Sequence, residues 1–337
     1  MTLPPMLSIS KDRSILIKGI VIIMMVFLHL FNKSNTDLCT NLLYIGDEPF
    51  AKWLSYACNP VWFFVLLSGY GLAYTYEKGN LQFTKQLKRI FKLYMHYWII
   101  LAVFLCIGYS LYPGRYPGTW DRILVNAVGW ETNYNYEMWF ILPYSLVALT
   151  SQYIIRGIEK IGYILSVVLT IFLSLAALYT ISRYHSTLLS EYPILSLTAV
   201  YVQFLYPFTV GVAFCRAKYQ WSYQMPTWLA LVIMVILVSA VCSIRIPVWG
   251  YVYVPLMIYL FCQLQFPKWL NSVLMELGRK SMAIWMIHTW FCCYLFREEV
   301  YSLKYPVFIL GALLIISYLS AIPFMWITKK LLTLLRV

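Results

Sequence analysis

Lys18 and His29 stand eleven residues apart in the first apolar run of the chain. A helix turning 100° per residue brings them within about 20° of one another and separates them by roughly 16 Å along its axis. A cation at one end of such a stripe and an imidazole at the other can bind an anionic group and move a proton on the same ligand. Taken alone, the pair equally fits a snorkelling anchor and a histidine satisfied by a neighbouring helix. A second stripe comprises Lys85, Arg89, Lys92 and His96, whose spacings of four, three and four keep them on one helical face. Membrane anchoring accounts for basic residues here but does not need them all on one side, whereas a phosphate-bearing ligand does. His288 sits near the middle of a late apolar run, seven residues beyond Ser281 and on its face. Glu137 precedes Met138-Trp139-Phe140 at the start of another run, where a carboxylate is either solvated or placed to orient a histidine or bind a hydroxyl. Ionisable groups cost about 2.5–3.5 kcal/mol at the centre of a spanning helix on insertion scales and face the bundle interior, which makes these residues the place to look for chemistry.

The elements that must position them follow from composition. The 337 residues are 61% hydrophobic and 12% charged, with a mean hydropathy of +0.71. A soluble domain carries about a quarter charged residues, so an ordinary soluble fold is excluded. An all-α integral membrane protein is predicted, with ten spans at 14–31, 54–74, 93–111, 138–155, 161–181, 196–215, 227–243, 247–264, 278–297 and 306–327. The seventh and eighth meet at a tight turn, Arg245-Ile246-Pro247, and should form an antiparallel pair. The first is expected to be a retained span, not a cleaved signal. With the N-terminus in the cytoplasm, alternation puts most of the 26 Lys and Arg on the inner side, Lys218 among them, and most acids outside. Both termini are then cytoplasmic, and the net charge of +13 is absorbed by topology, so nucleic acid is not an expected partner. Residues 1–337 read as a single transmembrane domain with no separate soluble domain. The eight cysteines form no C-x-x-C pair, which argues against a metal centre; only Cys39 and Cys58 lie near one polar connection that a bridge can close.

With these residues in place, the chain resembles the membrane-bound acyltransferase family 3, the O-acyltransferases of cell-surface glycans. Lys18 and His29 are similar to the family's basic residue, ten-residue spacer and histidine in the first helix. Phe63-Phe64-Val65-Leu66-Leu67-Ser68-Gly69-Tyr70 resembles its aromatic stretch ending in Ser-Gly, and Gly278 to His288 resembles its late Gly, Ser, histidine helix. Arg89 and Lys92 fall where the family tends to have two arginines, on the helix thought to hold the acyl donor; lysine keeps the charge and loses bidentate phosphate geometry. Trp139-Phe140 matches a pair common in the family, while a carboxylate that some members carry farther along that helix is missing, with Glu137 nearby as a substitute.

The resemblance implies a multi-pass cell-membrane O-acyltransferase that moves an acyl group, acetyl by preference, from cytoplasmic acyl-CoA to a hydroxyl of an extracytoplasmic glycan or lipid-linked sugar, without a metal. It implies catalysis at His29, with Glu137 and His288 beside it, and donor binding by Lys18, Lys85, Arg89, Lys92, His96 and Ser68. Direct transfer and an acyl-histidine intermediate both remain open. Candidate donors to the developing oxyanion are Ser68, Asn59, Trp139 and His288. A transporter of an anionic metabolite or protons is the alternative from another class: Ser68-Gly69-Tyr70-Gly71 and Pro143 offer helix breaks, but not a paired interruption in two halves. A lipid-linked-sugar glycosyltransferase would call for an acidic cluster that Asp37, Asp47, Glu48 and Asp121 do not make.

Overall fold

The computed structural model describes residues 9–32, 38–217 and 225–336, and the expectations placed on Asp37 and Lys218 lie outside them. The chain enters α1 (Lys11–Phe31), where Ser10 caps the first turn by accepting from the Arg13 amide and Asp12 complements the helix dipole. A two-residue hairpin, β1 (Tyr44–Ile45) and β2 (Glu48–Pro49), leads into the short α2 (Phe50–Ser55). Next come α3 (Pro60–Glu77), α4 (Phe83–Leu111) and the short α5 (Trp120–Ala127). A 3₁₀ turn over Tyr136–Phe140 runs into α6 (Ile141–Ile161), followed by α7 (Tyr163–Ser190), α8 (Pro193–Ala217), α9 (Thr227–Ile244) and α10 (Gly250–Gln263). The chain closes with α11 (Lys268–Thr289), a π-helical turn over Trp290–Leu295, α12 (Arg297–Tyr301) and α13 (Pro306–Leu334).

Seven of these helices among the described residues are long and apolar enough to cross a membrane: α1, α4, α6 with its leading turn, α7, α8, α9 and α13. The remaining three predicted spans coincide with α3, α10 and α11, which are shorter or more polar. At 14 residues, α10 rises about 21 Å, less than the roughly 30 Å of a hydrocarbon core. Two boundaries differ from the sequence expectation for local reasons. The predicted span 54–74 is split after Ser55, and the long helix starts only at Pro60, whose fixed φ and missing N–H suit a first helical position. The α4 helix begins at Phe83, a decade of residues before the apolar run, so the basic stripe rides on the same rod as the span. The turn after α9 is as expected: Arg245 closes the helix at φ 53°, and α10 returns beside α9. Cys58 is an unbridged thiol, so the bridge to Cys39 is not formed.

Glycines set the closest contacts. A Cβ at Gly19 would stand 2.0 Å from the Leu274 carbonyl oxygen, and one at Gly278 would stand 1.9 Å from that of Ile15. The two backbones therefore touch, and α1 and α11 run in parallel from one crossing point, the device by which small residues let spanning helices approach. α3 and α8 cross in the same manner at Gly69 and Gly211. Lys11, the start of α4, the start of α11 and the end of α13 gather at one end of the bundle, called here the basic end.

Candidate active site

From the Gly19–Gly278 crossing, ten residues along α1 reach His29 and ten along α11 reach His288. Equal paths of about 15 Å up parallel helices bring both rings to one depth. His29 Nδ1 and His288 Nε2 are 2.7 Å apart, with ring centroids 5.0 Å apart and planes 23° from parallel. His288 is fully buried, and its Nδ1 lies 3.0 Å from the Ile284 carbonyl oxygen one turn back on the same helix. His29 is half-buried.

Just past His288 the helix widens into the π turn, which re-aims the next side chains toward the segment before α6; such turns recur at functional sites. Tyr294 donates to Glu137 Oε2 at 2.6 Å and accepts from the Tyr136 amide at 2.8 Å. The buried Asn135 amide completes the link: oriented by its neighbours, its oxygen accepts from Trp290 Nε1 at 3.1 Å and its nitrogen donates to Glu137 Oε2 at 3.2 Å. Glu137 is thus a held carboxylate, within electrostatic reach of His288 but bonded to Tyr294 and Asn135 instead of an imidazole.

On the basic-end side of the pair lies a cavity of about 570 Å³, within the range of small-molecule sites. Its walls come from α1, α3, α4, α6 and α11. Toward the basic end its lining is Lys18, Arg89 and Lys92 with Gln86, Thr75 and Ser14; farther along the helices come Ser68, Tyr144 and His96, and beyond them the aromatic Phe64, Phe140 and Trp285. Among the described residues, no carboxylate lines it. Arg89 donates to Gln86 Oε1 at 3.5 Å, and Ser68 Oγ and the Tyr144 hydroxyl are 3.2 Å apart. Phe140 and Trp285 meet edge to face with centroids 5.3 Å apart. Trp285 is three residues before His288, about 4.5 Å along the helix.

The structure therefore brings Lys18, Ser68, Arg89, Lys92 and His96 to one cavity, and His29 and His288 to one contact beyond it. Lys85 stands apart: its amine donates to Asn80 Oδ1 at 3.3 Å in the exposed turn before α4, and it does not line the cavity. Two candidate oxyanion donors also lie elsewhere. Trp139 packs on Phe204 with centroids 6.0 Å apart, and the Asn59 amide packs beside Gly250. Ser68 keeps a position in the cavity. Sequence reasoning passed over Gln86, Tyr144, Trp285 and Asn135. Gln86 had a signal, since it lies three residues before Arg89 on the basic stripe; its side chain is 1% exposed and its Nε2 has no hydrogen-bond partner among the described residues. No protein-family model, curated protein or solved structure matches the chain.

Proposed function

We propose that the chain is an integral O-acyltransferase of the cell membrane, with ten spans and both termini cytoplasmic, moving an acyl group, acetyl by preference, from cytoplasmic acyl-CoA to a hydroxyl of an extracytoplasmic glycan or lipid-linked sugar. The observation that carries this reading is the alignment of a cationic cavity, free of carboxylates among the described residues, with a pair of imidazoles, one of them fully buried, one aromatic layer farther along the same two helices. An acyl-CoA has that shape: phosphates at one end, a long arm, and a thioester at the tip. Lys18, Arg89 and Lys92 supply cations for the phosphates, Arg89 with a planar fork and the lysines as point charges. Phe64, Phe140 and Trp285 offer an apolar throat to the arm, and the positive basic end faces the compartment that holds the donor.

At the tip, His29 takes the proton of the acceptor hydroxyl as its oxygen attacks the thioester carbon. The tetrahedral intermediate collapses with cleavage of the carbon–sulfur bond, and the coenzyme thiolate leaves with the proton that the imidazole returns. The products are one ester and one free thiol. General-base help of this kind contributes typically about 10²- to 10⁴-fold. Glu137, held by Tyr294 and Asn135 on the side away from the cavity, is placed to orient an arriving hydroxyl.

The test is mass spectrometry of surface glycans from cells carrying the wild-type gene, the His29→Ala gene or no gene. An acetyl-sized mass increment present only with the wild-type gene is expected. Equal increments in all three would overturn the reading.

A further inference from the structure

We propose that His288 is a positioning residue that locks His29 in the tautomer carrying its proton on Nδ1, which leaves Nε2 as the basic nitrogen. The Ile284 carbonyl oxygen can only accept, so His288 Nδ1, 3.0 Å away, carries a hydrogen. Flipping the ring would set carbon atoms against both Ile284 and His29 and lose both bonds, so the contacts fix the ring orientation. A neutral His288 then presents a bare Nε2, and at 2.7 Å this nitrogen accepts a hydrogen from His29 Nδ1. The reverse direction requires protons on both nitrogens of His288, an imidazolium at a fully buried position to which no carboxylate is bonded among the described residues. The groups facing the pair do not offer one: Glu137 is engaged by Tyr294 and Asn135, and Cys292 is a buried thiol.

The arrangement is a relay that ends on a neutral ring and a backbone carbonyl, where many histidine bases lean on an anion. It orients His29 without adding a charge at membrane depth, where a buried carboxylate would be expensive. When His29 Nε2 takes a proton, the Nδ1–H bond to His288 remains in place and strengthens, because its donor is now charged. This consequence for turnover rests on the acyltransferase reading; the tautomer itself does not.

The chain has four histidines, few enough to resolve singly. The experiment is ¹⁵N-histidine labelling of the full chain in lipid nanodiscs, with His29→Gln used to assign the resonance and two-bond ¹H–¹⁵N correlations used to place the proton. The expected result is His29 protonated on Nδ1 in the wild type, against the Nε2–H preference of a free histidine. In His288→Phe the His29 proton should move to Nε2. In His288→Gln, whose Oε1 stands where Nε2 stood and can accept, it should stay on Nδ1. Wild-type His29 protonated on Nε2, or a proton that ignores the loss of the acceptor in His288→Phe, would overturn the proposal; should His288→Phe fail to fold, the wild-type and His288→Gln spectra decide it. A parallel assay with acetyl-CoA separates the two claims. kcat should fall roughly 100-fold in His288→Phe, recover in part in His288→Gln, and leave the KM for acetyl-CoA unchanged. An Nδ1 proton together with no acyl transfer by the wild type would uphold the tautomer and defeat the enzyme.

Discussion

Two parallel helix pairs in this bundle cross backbone to backbone on reciprocal glycines, α1 with α11 and α3 with α8, yet they lead to different ends. The α3–α8 pair runs toward the basic end and finishes in charge: Arg216 donates to Glu77 at 2.9 Å and also bonds Glu159, with all three partly exposed. The α1–α11 pair runs the other way and finishes in two imidazoles, one of them fully buried. The packing device is shared, and the residues farther along each rod decide what it serves. An ion pair in water is worth about 0–1 kcal/mol and tolerates loss of its geometry. The hydrogen bond to the buried His288 ring is dictated, because an orphaned buried nitrogen costs about 1–3 kcal/mol.

That contrast can be broken at four points, in falling order of effect. His29→Ala should lower acyl transfer by roughly 10²- to 10⁴-fold, beyond the about 1–3 kcal/mol of stability lost by orphaning the buried His288 Nε2; transfer near wild type would remove the chemistry from the α1–α11 pair altogether. Gly278→Ala and Gly211→Ala should each cost about 1–3 kcal/mol of stability through overpacking, seen as lowered melting temperatures in detergent. Gly278→Ala should also lower kcat of the remaining folded protein, because it alone shifts an imidazole, whereas Gly211→Ala, which displaces the α3 backbone beside Ser68, should act on the KM for acetyl-CoA instead. Arg89→Ala should raise the KM for acetyl-CoA about 10-fold with little change in kcat, as expected for a lost charge-assisted bond made equally in ground and transition states. Lys85→Ala should leave both constants alone. Among the stability changes the smallest belongs to Arg216→Ala, which should shift stability by no more than about 1 kcal/mol, a shift that shrinks as salt is added.

Much of the frame was legible from composition and periodicity: the apolar runs, the turn at Arg245, and the basic stripe from Lys85 to His96 all appear as helices or turns where expected. Within the stripe, angle alone could not separate Lys85 from Arg89, since both share a face; what separates them is that Lys85 sits in the first exposed turn and finds Asn80 there. The His29–His288 contact joins residues 259 positions apart, and no local pattern announces such a pair. One signal was present and unused. Gly19 precedes His29, and Gly278 precedes His288, by the same ten residues, which places the rings level once the glycines touch. Glu137 was a lone carboxylate in the sequence, because its partner Tyr294 is aimed by a π turn that apolar periodicity does not reveal. The broken span near Tyr56–Asn59 shows the same limit: Pro60 was visible, but the run of apolar residues around it outweighed it.

The central claim is that one ligand reaches from the cations of α1 and α4 to the imidazole of His29. The direct measurement is an electron cryo-microscopy structure of the full chain in nanodiscs with an acetyl-CoA analogue in which a methylene replaces the thioester sulfur and the carbonyl is kept. Its phosphates should lie beside Arg89 and Lys92, its arm should run past Phe140 and Trp285, and its carbonyl carbon should come close enough to His29 for a hydroxyl held by Nε2 to approach to roughly 3.5 Å. An analogue whose phosphates bind elsewhere, or whose arm stops short of Trp285 and leaves the imidazoles untouched, would contradict it.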